Sequence, residues 1–233
     1  MKDRVQALLF GAAALLAAIP ASAQVGHDPA RSPYADLEYS QEFTLLGGYV
    51  RTRHDPAGIL PKSRPILGVR YEATLSGPFA VSADIVGGSG DRQVVDPVKP
   101  AATRYSAGTQ SNAVFAADLA AALNLTGTRS WHELVPQLRA GVGIVSSRAR
   151  DDTSGYAFGT AFAFIYGAGL KFVPGGRFQL RADVTDRVFK QNYPDAYFRL
   201  ATDNTAVVPV TTSRSFYTHH TALTIGVSYL FAR

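Results

Sequence analysis

The sequence predicts an all-β fold, a closed antiparallel up-and-down transmembrane β-barrel of about eight strands. Three observations lead there. In the last strand-like segment, Ile225, Val227, Tyr229 and Phe231 fall on one face and Thr224, Gly226 and Ser228 on the other. One face suits hydrocarbon and the other is small and partly polar. Second, a basic, then apolar, then small-residue stretch opens the chain like an export leader. Third, the connections between alternating segments divide into short turns and long polar stretches, mostly at opposite ends.

The leader reads as follows. Lys2 and Arg4, partly offset by Asp3, precede an apolar run from Val5 to Ile19, and Pro20 breaks it before Ala21-Ser22-Ala23. That triplet is what a signal peptidase accepts, so cleavage is expected after Ala23, leaving Gln24 first. The run is short against the roughly 20 residues of a membrane anchor. No second run of about 18 apolar residues follows, so no helical span is expected. Near-zero mean hydropathy with abundant Gly, Tyr and Phe is what alternating strands produce. The net charge of +5 is not gathered into a basic tract, which speaks against nucleic acid. The chain has no cysteine, which excludes disulfides, thiolate metal sites and a lipoprotein anchor.

Past a polar lead, each segment alternates with period two. The first, Phe43 to Thr52, places Phe43, Leu45 and Tyr49 outward. The second, Ile66 to Leu75, places Leu67, Val69, Tyr71, Ala73 and Leu75 outward, with Gly68, Arg70, Glu72 and Thr74 inward. Ser76-Gly77-Pro78 is a tight turn. The third, Phe79 to Gly87, sets Phe79, Val81, Ala83 and Ile85 against Ala80, Ser82 and Asp84. The fourth, Asn112 to Leu125, sets Phe115, Leu119 and Leu123 against Asn112, Asp118 and Asn124. Its alanine content also suits a helix, but its flanks favour a strand and a helix would leave an odd strand number.

The fifth, about Val135 to Ser147, sets Leu138, Val142 and Ile144 against Gln137, Arg139, Gly141 and Gly143. The sixth, Tyr156 to Val173, places Phe158, Phe162, Phe164, Tyr166, Leu170 and Phe172 outward and Gly167, Gly169 and Lys171 inward. After Pro174-Gly175-Gly176, the seventh runs Phe178 to Val188, with Gln179, Arg181, Asp183 and Thr185 inward. The eighth ends at Phe231. The connection near Asp151–Gly155 is the one that does not fit the short/long division. Tyr49, Tyr71, Phe79, Trp131, Phe172, Phe178, Tyr229 and Phe231 suit interfacial girdles.

This pattern resembles the small outer-membrane β-barrels that include the OmpA transmembrane domain and OmpX. The ending is similar to the C-terminal signal of bacterial outer-membrane proteins, with Gly226, Tyr229 and Phe231 as its small and aromatic positions; Ala232-Arg233 after the aromatic is a departure. The resemblance implies a signal peptide, 1–23, a periplasmic lead, 24–41, and an outer-membrane barrel, 42–233. It also implies a monomer in a Gram-negative outer membrane, with lipopolysaccharide and the barrel-assembly machinery as partners. A peptidoglycan-binding domain like that following the OmpA barrel is not expected.

Arg70, Glu72, Asp84, Asp118, Arg139, Lys171, Arg181 and Asp183 are the expected lumen charges. Buried charges are costly unless paired, so they read as a salt-bridged plug ahead of a proton or ion relay. Arg70 and Asp84 stand equally far from Gly77, side by side across one hairpin. Gly167 and Gly169 are expected to make room for Asp183 and Arg181. His219 and His220, with Ser213 and Ser215 nearby, are the only candidates for catalysis, and no orienting carboxylate is evident. Adjacent strand residues face opposite ways, which also argues against a metal site there. No cofactor is expected. Arg51, Arg53, Lys62, Arg64, Arg92, Lys99, Arg104, Arg148 and Arg150 are expected at the external boundary, where lipid phosphates compete with water for them. The expected role is structural or surface-interacting and non-enzymatic. A narrow channel for ions or small apolar solutes is the alternative, and lipid A modification comes third.

Overall fold

Residues 32–53, 55, 57–147 and 152–232 are described in a computed structural model. The expected leader and its cleavage site lie outside them, as do Arg148 and Arg150. Ten strands follow in order: β1 (Tyr34–Asp36), β2 (Gln41–Thr52), β3 (Arg64–Ser76), β4 (Phe79–Gln93), β5 (Thr109–Asn124), β6 (Arg129–Trp131), β7 (Leu134–Ser147), β8 (Gly159–Phe172), β9 (Phe178–Asn192) and β10 (Ser215–Phe231). No α-helix occurs among the described residues; Asp195–Phe198 is a single 3-10 turn.

Eight of these strands close into a ring, β2-β3-β4-β5-β7-β8-β9-β10, every neighbouring pair antiparallel. The seam pairs β10 with β2 from His220↔Thr52 to Phe231↔Gln41. Hydrocarbon offers no partner for a free N–H or C=O, so this seam is what permits the fold to span a membrane. Side-chain parity is kept along the strands. In β4 the alternate residues Ala80, Ser82, Asp84 and Val86 are buried, while Phe79, Val81, Ala83 and Ile85 face out. The alanine-rich β5 alternates just as regularly, which decides the strand against the helix. Its alanines fit because they pack flat against the inward side chains and against lipid alike.

Gly77, with φ +54, makes the tight β3–β4 turn in a conformation most side chains avoid. The β8–β9 turn and the β5–β7 connection lie at the same end. The four long connections lie at the other, including β7–β8, so the loop that broke the expected segregation conforms to it. Gly159 explains the misreading. Its φ of +65 ends the extended conformation, and Tyr156 and Phe158 fold inward as buried residues instead of continuing the outward row.

The lead is more structured than its composition suggests. β1 pairs with β6 (Tyr34↔Trp131, Asp36↔Arg129), and Arg129 Nε meets Asp36 Oδ1 at 2.8 Å. Residues Ala35 to Gln41 run along the short-turn mouth, where they enclose a cavity of about 250 Å³ together with Glu42, Glu72, Lys171 and Gln179. The other chain end is latched to the lead. Ala232 turns into the left-handed region at φ +58, and its carbonyl accepts from Ser40 N at 2.8 Å and Ser40 Oγ at 3.0 Å.

Candidate functional site

The barrel interior is the best-built feature, and it has two chemistries. Toward the short-turn mouth it is ionic. Lys171 on β8 donates to Glu42 Oε2 on β2 at 3.0 Å and to Glu72 Oε1 on β3 at 2.6 Å. Arg181 on β9 reaches Glu42 Oε1 at 2.5 Å and clasps Asp183 through Nε at 2.9 Å and Nη2 at 3.1 Å. Arg70 makes a two-pronged contact with Asp84, at 2.7 and 3.0 Å, and its third nitrogen reaches Asp183 at 3.1 Å. Arg139 adds a bond to Asp84 at 2.9 Å, and Arg187 binds Asp118 Oδ2 at 2.8 and 2.6 Å. Several of these links join strands that are not neighbours, β3 to β9, β8 to β2 and β5 to β9, and so cross the lumen.

All eight expected lumen charges are buried, and the Arg70–Asp84 pair stands where counting from Gly77 put it. Gly169 does face Asp183, but Gly167 faces Thr185 instead, and Arg181 lies opposite Lys171. A Cβ at Gly169 would stand 2.1 Å from Asp183 Oδ1, and one at Gly143 2.3 Å from Asp118 Oδ1, so both glycines leave space for carboxylates. Sequence reasoning missed Glu42, Arg64 and Arg187. Glu42 was lost because the strand starts two residues before Phe43. Continuing the parity of β9 past Thr185 would have found Arg187.

Toward the long-loop end the interior turns apolar. Val86, Val114, Ala116, Val145, Ala163 and Phe189 project from the strands, and Ile59, Leu60, Val95, Tyr156, Phe158, Tyr193, Tyr197 and Val208 pack down from the loops. Polar anchors hold this cap. Buried Asp55 accepts from Ile59 N at 3.3 Å, Leu60 N at 3.1 Å and Tyr193 Oη at 3.2 Å. Arg92 pairs with Asp152, and Arg104 donates to the Ala206 carbonyl at 2.7 Å. Burial first, and the Asp55 carboxylate next, hold the phenols of Tyr156 and Tyr193 well above their ordinary range. Burial raises Tyr197 likewise.

Arg64, Arg92 and Arg104 are therefore not phosphate-facing, as their loop positions suggested. Each is buried: Arg92 pairs with Asp152, Arg104 bonds the Ala206 carbonyl, and Arg64 donates to the Lys62 carbonyl. Arg51, Arg53, Lys62 and Lys99 are exposed.

The outer wall carries one polar cluster at the upper edge of its apolar band. Asp186 on β9 accepts from Tyr166 Oη at 2.8 Å and Thr221 Oγ1 at 3.0 Å, and it pairs with His219 Nδ1 at 2.6 Å. This carboxylate was not evident in the sequence, because only the β9–β10 register brings position 186 beside 221. His220 points the opposite way, into the lumen against Phe189, with ring centroids 4.6 Å apart. Ser213 bonds the Ser215 carbonyl at 2.7 Å, so the two serines serve the loop. At the strand end, Tyr229 packs edge-on to Phe178 at 5.5 Å and stacks on Phe231, which is only half-buried and also meets Tyr71. A Cβ on inward Gly226 would stand 2.7 Å from the Leu45 carbonyl oxygen.

The model of the outer membrane protein beta-barrel domain matches residues 11–231. The chain belongs to this family. It is a protein of the cell outer membrane. Among solved structures it is similar to the outer membrane protein OprG from Pseudomonas aeruginosa, with a TM-score of 0.50 and 12% identity over 84% of this chain and 98% of that one. It is also similar to AlkL in lipid bilayers (0.49, 18%, 90% and 98%) and to Neisserial surface protein A (0.49, 12%, 82% and 97%). At such identities the likeness to OprG is one of fold. No curated protein matches.

Proposed function

We propose that the chain is a closed, non-enzymatic barrel that anchors a folded external cap, with a structural or surface-interaction role in the outer membrane. The observation that carries this reading is the ionic network tying β2, β3, β4, β7, β8 and β9 across the lumen. An eight-stranded interior is just wide enough for side chains to fill, and here they do so with mutually bonded groups.

The partners follow from the same geometry. Arg51 on β2, Arg53 just after it and Lys190 on β9 are exposed just beyond the apolar band, where they meet lipopolysaccharide phosphates through charge-assisted hydrogen bonds. The β10 terminus is the part the barrel-assembly machinery reads, and the wholly lipid-suited wall supports a monomer. The non-enzymatic reading is supported by the Thr221 hydroxyl, which donates to Asp186 and not to the His219 ring, so this cluster does not set a hydroxyl against the imidazole.

Planar-bilayer recording of the refolded protein tests the proposal. No stable single-channel steps are expected. Reproducible steps that change on replacing Arg70 or Asp84 would establish a narrow channel instead. A change in lipid A acylation that depends on the gene and disappears with His219→Ala would establish an enzyme.

A further inference from the structure

The strand-borne lumen charges do not balance. Apart from Arg92, which pairs with Asp152 of a loop, six cations (Arg64, Arg70, Arg139, Lys171, Arg181 and Arg187) face five carboxylates (Glu42, Glu72, Asp84, Asp118 and Asp183). The five other cations each hold a carboxylate within 4.0 Å. Arg64 holds none among the described residues, though it is only 5% exposed. Its recorded bond is from Nη1 to the Lys62 carbonyl at 3.3 Å, and its Nε has no partner. The charge that acts on it most is another guanidinium, Arg187.

Arg64, Arg187 and His220 line one small cavity of about 30 Å³, walled otherwise by Val50, Ile66, Val86, Val114 and Phe189. His220 is 3% exposed and its Nε2 is also without a partner. Two carboxylates lie near. Asp118 is committed to Arg187, and Asp186 is on the outer wall. The space is therefore polar on one side, cationic and underfilled, and it lies where the ionic half of the lumen meets the apolar half. A buried charge without a counter-charge is strongly disfavoured. A cavity of this size has room for one or two water-sized particles.

We propose that the cavity bounded by Arg64, Arg187 and His220 binds one small monovalent anion of halide size. The Arg64 Nε–H, and His220 Nε2 when it carries the proton, are the free donors; Arg187 adds charge while it stays bonded to Asp118. The anion supplies the counter-charge that Arg64 lacks, and the apolar wall excludes anything longer than a single ion.

The test uses the full barrel refolded with bromide as the only halide. Crystals should show an anomalous peak in the cavity, absent from Arg64→Met prepared in the same way. In solution, each tenfold rise in bromide above its dissociation constant, at constant ionic strength, should raise the apparent Tm by about 3–5 °C. Arg64→Met should lose that dependence. Water density without an anomalous signal in the unmodified protein would overturn the proposal, whether or not the variant folds. So would a peak, or a halide-dependent Tm, that persists in Arg64→Met.

Discussion

Asp183→Asn removes one negative charge with almost no change in shape. Asp183 is 1% exposed and holds two guanidiniums at once, Arg181 at 2.9 Å and Arg70 at 3.1 Å. The amide retains one acceptor oxygen and gains two donors, which face cations that cannot accept. Removing one partner of a buried ion pair costs about 3–5 kcal/mol, because the other charge is left uncompensated. Here the loss falls at the upper end of that range, since two cations lose a counter-charge in a lumen already in cationic excess. For a domain of this size that is roughly 6–20 °C in apparent Tm. Guanidinium unfolding in lipid vesicles reads it through the fluorescence of Trp131, the one tryptophan, and gel mobility reports folding separately. Asp91→Asn, exposed near the end of β4, serves as the control and should shift stability by no more than about 0.5 kcal/mol. A loss below about 1 kcal/mol for Asp183→Asn would refute the argument, because that small figure is what solvent-screened pairs give. The lumen would then be hydrated and the network no plug.

Gly226→Val places a Cβ 2.7 Å from the Leu45 carbonyl oxygen at the β2–β10 seam and should block barrel closure, seen as loss of the heat-modifiable gel band. Gly47→Ala meets only Leu67 Cδ2 at 3.5 Å and should fold normally. Burial raises the folded-state values of Tyr156, Tyr193 and Tyr197. The cap therefore keeps their contribution below the unfolded value of about 10 and loses it as pH climbs through their folded values. Tyrosinate absorbance lagging behind that of the denatured chain, followed by protease sensitivity of the loops, would show this. Phe231→Asp puts a charge near the lipid interface, where it costs only ~1 kcal/mol. It should cut outer-membrane levels in cells while detergent refolding stays near normal; equal impairment in both settings would make Phe231 a packing residue only.

Residue parity made the wall legible, because hydrocarbon tests every second position of every strand. The Arg70–Asp84 pair was legible for a further reason: both residues belong to one hairpin, so counting from Gly77 sets their register. Pairs that cross the lumen were not. Arg70 meets Asp183 only after the four ring strands between β3 and β9 have been placed, and no local count reaches that far. The charged loops failed differently. Arg104 has no period to assign it a face, and Arg92 has one only because β4 runs on to Gln93, past the expected end at Gly87, so residues that pin the cap look like ones that greet lipid phosphate. Phe158 was misread because a single left-handed glycine after it resets the alternation. No orienting carboxylate was evident for His219, and its partner Asp186 emerged only once β10 was seen to begin at Ser215 and pair with β9.

The ionic layer does more than fill space. A one-residue slip of β2 at the β2–β10 seam would turn Phe43 and Leu45 inward and send Glu42 and Thr44 into lipid. An apolar lumen would penalise that slip only through packing. With Glu42 bound by Lys171 and Arg181, the slip also takes one counter-charge from each of two interior cations and puts a carboxylate in hydrocarbon. Most of the lumen charges act in this way, each naming a strand across the barrel as its partner. The network therefore gives up some stability relative to an apolar filling and gains a single ring register. The apolar upper half is then free to follow the loops, which pack against whatever wall the charges have already set.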